Sequence, residues 1–197
     1  MKQQIHGGQP VHGDEGELSD VATLRRRARQ DIQSGAVTPG YEADRDTVLR
    51  LLNEALATEI VCTLRYRRHY FMAAGLESES VRQEFLSHAQ EELQHADRIA
   101  ALIVQLDGEP DFNPRSLAER SHAEYVTGDS LESMIREDLV AERIAIDSYR
   151  QMIAYIGPHD PTTRRLLEEV LANEEEHAED LSSMLPRVSS TARAARS

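Results

Sequence analysis

Two Glu-x-x-His pairs, Glu92/His95 and Glu174/His177, lie 82 positions apart, and two further glutamates, Glu59 and Glu142, lie 83 apart. A glutamate and a histidine about one helical turn apart project from the same face and can hold one ion between them. One such pair is a weak signal. Glu119/His122 has the same spacing with no partner glutamate and reads as a chance occurrence. Two pairs in register with two more acids are a much stronger signal. Four carboxylates on converging faces would repel one another, and each left alone in a core costs several kcal/mol. Two divalent cations would supply four positive charges against them. The candidate ligands are therefore Glu59, Glu92, His95, Glu142, Glu174 and His177. Oxygen-rich ligands with two imidazoles suit iron or manganese, whereas zinc usually takes fewer carboxylates in a tetrahedral shell. Cys62 is the only cysteine, which argues against an iron–sulfur cluster and against an intrachain disulfide.

These six residues need rigid elements to carry them, and the chain has four long helical patterns. The first starts near Asp44 or Asp46 and runs to Gly75. The second begins at Ser80, with Ser80 and Gln83 spaced as a capping box, and ends at Gly108. Asp129 and Glu132 open the third, which stops at Gly157-Pro158. The fourth has Asp160 as N-cap with Pro161 at the first helical position, and fades near Pro186. Each carries an apolar seam with steps of three and four, broken at mid-length by one of the four acids. The second reads Phe85, His88, Glu92, His95, Ile99, Leu102 and Leu106; the first passes through Leu52, Ala55, Glu59, Cys62 and Tyr66. No lysine or arginine is expected on these seams. Leu56, Glu59 and Tyr66 recur as Leu139, Glu142 and Tyr149, so one helical hairpin repeats the other about a pseudo-twofold axis. Short turns join the first helix to the second and the third to the fourth. Between the hairpins lie about 20 residues, which reach at most about 70 Å. A 28-residue helix is about 42 Å long, so the linker can return along the whole bundle. The fold class is all-α: a four-helix bundle with one long crossover between helices two and three.

The division expected along the 197 residues is an arm over 1–44 with at most one short helix (Leu18, Val21, Leu24, Ala28, Ile32), the bundle over 45–185, and a flexible polar tail over 186–197. A net charge of −13 disfavours nucleic acid and anionic membranes as partners and suits a protein that gathers cations. No signal peptide and no run of about 18 apolar residues is evident, so a soluble, cytoplasmic protein is expected.

The segments Leu51-Leu-Asn-Glu-Ala-Leu-Ala-Thr-Glu59, Glu92-Leu-Gln-His-Ala-Asp97, Asp138-Leu-Val-Ala-Glu142 and Glu174-Glu-Glu-His-Ala178 resemble the bacterioferritin and Dps-like branch of the ferritin superfamily over about residues 45–185. The resemblance implies a ferritin-like bundle with a di-iron ferroxidase centre of two irons per subunit, where manganese or zinc could also sit. Glu92 and Glu174 would bridge the irons, Glu59 and Glu142 would be terminal ligands, and His95 and His177 would bind one iron each. Tyr66 matches a tyrosine near the centre in bacterioferritins. The implied activity is oxidation of Fe(II) by O2 or H2O2, with Fe(III) stored inside a closed shell of identical subunits as a defence against iron and oxidative stress. Three departures bear on this. Leu93 stands where bacterioferritins place a haem-ligating methionine, so no haem is expected by that mode. A short fifth helix is not evident, which with the arm favours a 12-subunit shell over a 24-subunit one. The cysteine pair often found in Dps-like relatives with this centre is missing.

Two rival readings remain at this level. One is a DNA-binding and DNA-protecting shell, for which Arg25, Arg26, Arg27 and Arg29 are suggestive; residues 1–46 nevertheless hold six Lys/Arg against eight Asp/Glu, so DNA is a possible but not a favoured partner. The other is a discrete di-iron or di-manganese oxidase or peroxidase. Cys62 reads as a small core residue. Tyr149 and His88 are expected beside the centre, while His6, His12, His69 and His159 are expected in solvent.

Overall fold

The computed structural model describes residues 18–74 and 78–194, with side chains through Val188. In order they form α1 (Val21–Arg27), a 3-10 turn (Ile32–Ser34), α2 (Arg45–Met72), α3 (Ser78–Gln105), α4 (Leu117–Arg120), α5 (Leu131–Ile156) and α6 (Pro161–Ala194). Helices α2 and α3 pack as one antiparallel hairpin and α5 and α6 as the other, so the all-α bundle with a long crossover is what the chain forms.

The helix starts show which residues carry the caps. Asp44 accepts from the Thr47 amide and hydroxyl at the start of α2, and Asp160 does the same for Thr163 at the start of α6. Two expected caps differ. Helix α3 begins at Ser78 rather than Ser80, and Gln83 bonds Glu79 on its own helix instead of closing a box. Helix α5 is capped by Ser130, whose partner in the reciprocal box is Ser133, while Glu132 is engaged by Arg136. Helix α2 ends at Met72, and Gly75 lies outside the described residues. Helix α3 ends at Gln105, three residues before Gly108, because Asp107 takes the left-handed position that ends a helix. Gly108 follows it, its amide bonded to the Ile103 carbonyl. A Cβ there would lie 2.4 Å from Leu49, so the crossover leaves α3 in close contact with α2.

Among the described residues, the segments flanking the bundle pack differently from what their sequence suggests, while 1–17 and 195–197 lie outside those residues. Helix α6 continues through Pro186 to Ala194 where a polar tail was expected. A proline inside a helix loses one backbone bond and crowds the preceding turn. Packing offsets this: Leu181 and Val188 are buried with Val81 and Phe85, and Met184 and Leu185 lie against the same cluster. At the other end, residues 37–43 are docked rather than loose. Val37, Tyr41 and Ala43 pack on the main core, and the Tyr41 hydroxyl donates to Asp160 at 2.9 Å. Helix α1 covers part of the expected short helix, with Leu18, Val21, Leu24 and Ile32 exposed.

The two larger apolar clusters of the core lie on either side of a polar layer. One holds Leu52, Leu56, Ile99, Leu102, Ile156 and Leu167 among others; the second holds Phe85, Ala89, Ile135 and Leu181. Burying each such Leu, Ile or Phe contributes roughly 1.5–3 kcal/mol, which lets the bundle tolerate ionisable groups between them.

Candidate metal centre

The polar layer contains all six residues singled out from spacing. Glu59 comes from α2, Glu92 and His95 from α3, Glu142 from α5, and Glu174 and His177 from α6, and all are buried. They form two overlapping groups: Glu59, Glu92, His95 and Glu174 in one, Glu92, Glu142, Glu174 and His177 in the other. His95 Nδ1 lies 3.2 Å from Glu59, 3.6 Å from Glu92 and 3.1 Å from Glu174. His177 Nδ1 lies 3.4 Å from Glu92, 3.9 Å from Glu142 and 3.8 Å from Glu174. Each imidazole thus faces one carboxylate of its own and two that are shared.

The far side of each ring sets which nitrogen faces inward. His177 Nε2 lies 2.6 Å from Glu91, and His95 Nε2 lies 3.4 Å from the Asn173 side-chain oxygen. Both partners accept, so each Nε2 carries a proton and each Nδ1 faces the carboxylates, where it holds a second proton in the cation-free layer and would offer a lone pair to a bound ion. Glu91 and Asn173 were not anticipated. They stand 82 apart, each directly before a shared glutamate, so the internal repeat already contained their signal.

Tyr66 and Tyr149 reach across the bundle. Tyr66 donates to Glu142 and Tyr149 to Glu59, so each tyrosine orients the carboxylate of the opposite hairpin. His88 is also at the layer, its Nδ1 3.3 Å from the Tyr66 hydroxyl and its ring stacked on His177 at 4.0 Å.

Without cations the layer is held together by protons. Burial and the charge of Glu92 push Glu59 up to about 8, and burial with Glu92 and Glu59 holds Glu174 well above the carboxylate range. Burial opposes charge on His95, but Glu59 and Glu92 outweigh it and raise it to about 10. His177 is raised to about 9 against the same penalty, chiefly by Glu92. Burial and Glu142 push Glu92 up, yet the two imidazoles and Glu59 more than compensate and keep it low. Several inward atoms still have no hydrogen-bond partner: Glu92 Oε1, Glu142 Oε2, Glu174 Oε1 and His177 Nδ1. Buried polar atoms are normally satisfied, so this donor set fits bound cations.

One expectation is corrected here, and one buried cation lies off the seams. His69 is fully buried rather than solvated: its Nδ1 lies 2.8 Å from Asp138 and its Nε2 3.1 Å from the Thr127 carbonyl. An arginine does enter the core. Arg65 is buried beside Tyr66, donating to Asp138 and the Glu124 carbonyl, each at 2.8 Å. It serves this separate cluster and not the four acids. Cys62 is buried with Ala123 and Ala141, and burial pushes its thiol up. His159 is half-exposed near Glu42. His122 lies beside Glu54, with Glu119 exposed, so that pair forms no joint site. His6 and His12 fall outside the described residues. Among the described residues no helix is long and apolar enough to cross a membrane.

Residues 49–190 match the family model described as Ferritin-like domain. The bacterioferritin of Mycobacterium avium is 30% identical over 139 residues, 70% of this chain and 83% of that protein. The nutrient stress-induced DNA-binding protein of Nostoc sp. is 32% identical over 143 residues, covering 71% and 78%. Among solved structures, the bacterioferritin-related protein of Bacteroides fragilis, a dodecameric thioferritin, superposes with a TM-score of 0.73 at 28% identity, covering 78% of this chain and 92% of that one. Dps from Thermosynechococcus elongatus gives a TM-score of 0.69 at 20% identity, covering 71% and 90%, a likeness of fold.

Proposed function

Because the chain belongs to the ferritin-like domain family, we propose that it is a ferroxidase that takes up Fe(II), oxidises it at the buried centre, and stores the product within a closed homo-oligomeric shell. The observation that carries this reading is the sharing pattern: each imidazole Nδ1 faces Glu92 and Glu174 together with one private glutamate. In it, Glu92 and Glu174 would serve both ions, Glu59 with His95 would hold one, and Glu142 with His177 would hold the other. Two Fe(II) ions bound there would supply the two electrons that convert O2 to H2O2, or H2O2 to water. The protein's part is to hold them at fixed separation, neutralise their charge and keep the site dry. Tyr66 and Tyr149 hold the private carboxylates in place, and Glu91 and Asn173 hold the histidine tautomers. The relative named as dodecameric supports a 12-subunit shell.

Anaerobic Fe(II) titration followed by air tests the reading. Oxidation faster than in buffer, by an assembly of shell mass, is expected. A rate equal to buffer would refute the activity, and a dimeric mass would favour a discrete oxidase.

Cation binding should also release protons. At pH 7 the raised values place a proton on Glu59 and a second ring proton on His95 and His177, and Glu174 is shifted toward its protonated form. Binding ions must displace them, so affinity is expected to fall as pH falls below the range of about 8 to 10. Calorimetric titration with Zn(II) in buffers of different ionisation heat measures the release, and a heat independent of buffer would contradict it.

The Nostoc relative's name raises DNA binding, and Arg25, Arg26, Arg27 and Arg29 are exposed on and just after α1. The net charge of −13 and the acidic balance of the arm oppose it. A gel shift at low salt is expected to show no retardation of duplex DNA.

A further inference from the structure

Glu84 and His88 on α3 and Asp180 on α6 converge at the edge of the bundle, next to the buried layer but outside its six residues. We propose that these three side chains form a third divalent-cation site, one that takes a transition-type ion such as Zn(II), Mn(II) or Fe(II) through His88 Nε2 and the two carboxylates.

The argument begins with the proton on the Tyr66 hydroxyl. Tyr66 donates that proton to Glu142. A hydroxyl has only one, so its 3.3 Å contact with His88 Nδ1 requires the ring to donate. In the neutral ring His88 Nε2 then carries a lone pair and no hydrogen. That lone pair is aimed at Glu84 Oε1, 3.4 Å away, and Asp180 Oδ2, 3.9 Å away. Three electron-rich groups facing one another are unfavourable unless a proton or a cation lies between them. Burial and Asp180 push Glu84 up, so a proton shared with Asp180 is what an ion would displace, while His88 Nε2 stays unpartnered. The His88 side chain is 2% exposed, and its Nε2 has no hydrogen-bond partner. Glu84 and Asp180 are part-exposed, so an ion can arrive from solvent and keep water as further ligands. One imidazole with two carboxylates selects borderline cations over calcium or magnesium, which prefer all-oxygen shells.

The internal repeat gives an independent contrast. Moving by 82 positions, Glu84 and His88 correspond to Leu166 and Val170, and Asp180 corresponds to Arg98. The place related to it by the pseudo-twofold axis therefore has two apolar residues from α6 and, from α3, Arg98 paired to Glu169, with no ligand set. His88 departs from an otherwise apolar core position on one side only, and that is where the two acids stand. An ion on Nε2 would polarise the ring and strengthen its Nδ1–H bond to Tyr66, linking the edge to Glu142. Occupancy of this site does not depend on the redox chemistry proposed above.

The test uses the intact assembly and Zn(II), which is redox-inert. An anomalous-scattering map at the zinc edge is expected to show a peak bonded to His88 Nε2 in addition to those in the buried layer, and calorimetry should count it. In the double variant Glu84→Gln, Asp180→Asn the edge peak is expected to vanish, with loss of one bound ion per subunit and unchanged circular dichroism and particle mass. His88→Phe, which keeps a ring stacked on His177, should do the same. No edge peak in the wild type, or a peak that survives the double variant, overturns the proposal whatever the buried layer holds. An edge peak with an empty buried layer would support this site while refuting the centre, so the two readings fail separately.

Discussion

Glu92→Ala is expected to reduce Fe(II) oxidation to the rate seen in buffer, a loss of at least about 100-fold. Replacing a residue that only supports a ligand typically costs 10–100-fold. Glu92 faces both imidazoles, at 3.6 Å and 3.4 Å, so its removal strips a donor from both ion positions at once. Glu174 occupies the equivalent place from α6, and Glu174→Ala should be as severe. Glu91→Gln and Asn173→Ala provide the comparison, since both act only through Nε2 of a histidine and should fall within the smaller range. Stopped-flow oxidation of Fe(II) by O2, with particle mass as a fold control, measures all four. If Glu92→Ala oxidises iron within a few-fold of wild type, the shared-carboxylate assignment fails.

The second large effect concerns stability and lies outside the centre. Asp138 is fully buried and accepts from Arg65 and His69 together, both from α2. Arg65 also donates to the Glu124 carbonyl, and His69 reaches the Thr127 carbonyl, so one carboxylate ties α2, α5 and the crossover into a single unit. Asp138→Ala would leave a guanidinium in the core without its counter-charge. Breaking a buried pair from one side costs roughly 3–5 kcal/mol. For a chain of this size that corresponds to a fall in apparent Tm on the order of 10 °C. Replacing Arg65 and Asp138 together by leucine should restore much of the loss, because desolvation of both charges is then avoided. Thermal unfolding followed by circular dichroism compares them with Asp147→Ala, whose carboxylate is exposed and only loosely paired with Arg150. Equal shifts for Asp138→Ala and Asp147→Ala would show that the buried cluster contributes nothing.

Much of the centre was legible because helical spacing is a local property. Glu92/His95 and Glu174/His177 had to share a face once their segments were helical, and the repeat placed Glu59 and Glu142 level with them. The bundle followed from seams, capping residues and the length of the crossover. Some local signals misled. Pro186 reads as a stop, yet α6 passes it because Leu181 and Val188 have a surface to bury against. Ser80 and Asp129 had suitable spacing, but α3 begins two residues earlier at Ser78, and Ser130 caps α5 through a reciprocal bond with Ser133.

What one stretch of chain could not contain was any pairing between distant stretches. A buried charge is tolerable only opposite its partner, and Arg65 meets Asp138 across 73 positions. The same holds for Tyr66 with Glu142 and Tyr149 with Glu59, whose hydroxyls cross to the opposite hairpin rather than serving their own. His69 looked like a surface residue because its helix is charged there, and only the carboxylate of α5 makes its burial favourable. Residue types and period determined the six candidate ligands and the bundle that carries them. Tertiary structure decided hydrogen-bond direction, and with it which imidazole nitrogens face the acids and why His88 turns a bare lone pair toward Glu84 and Asp180.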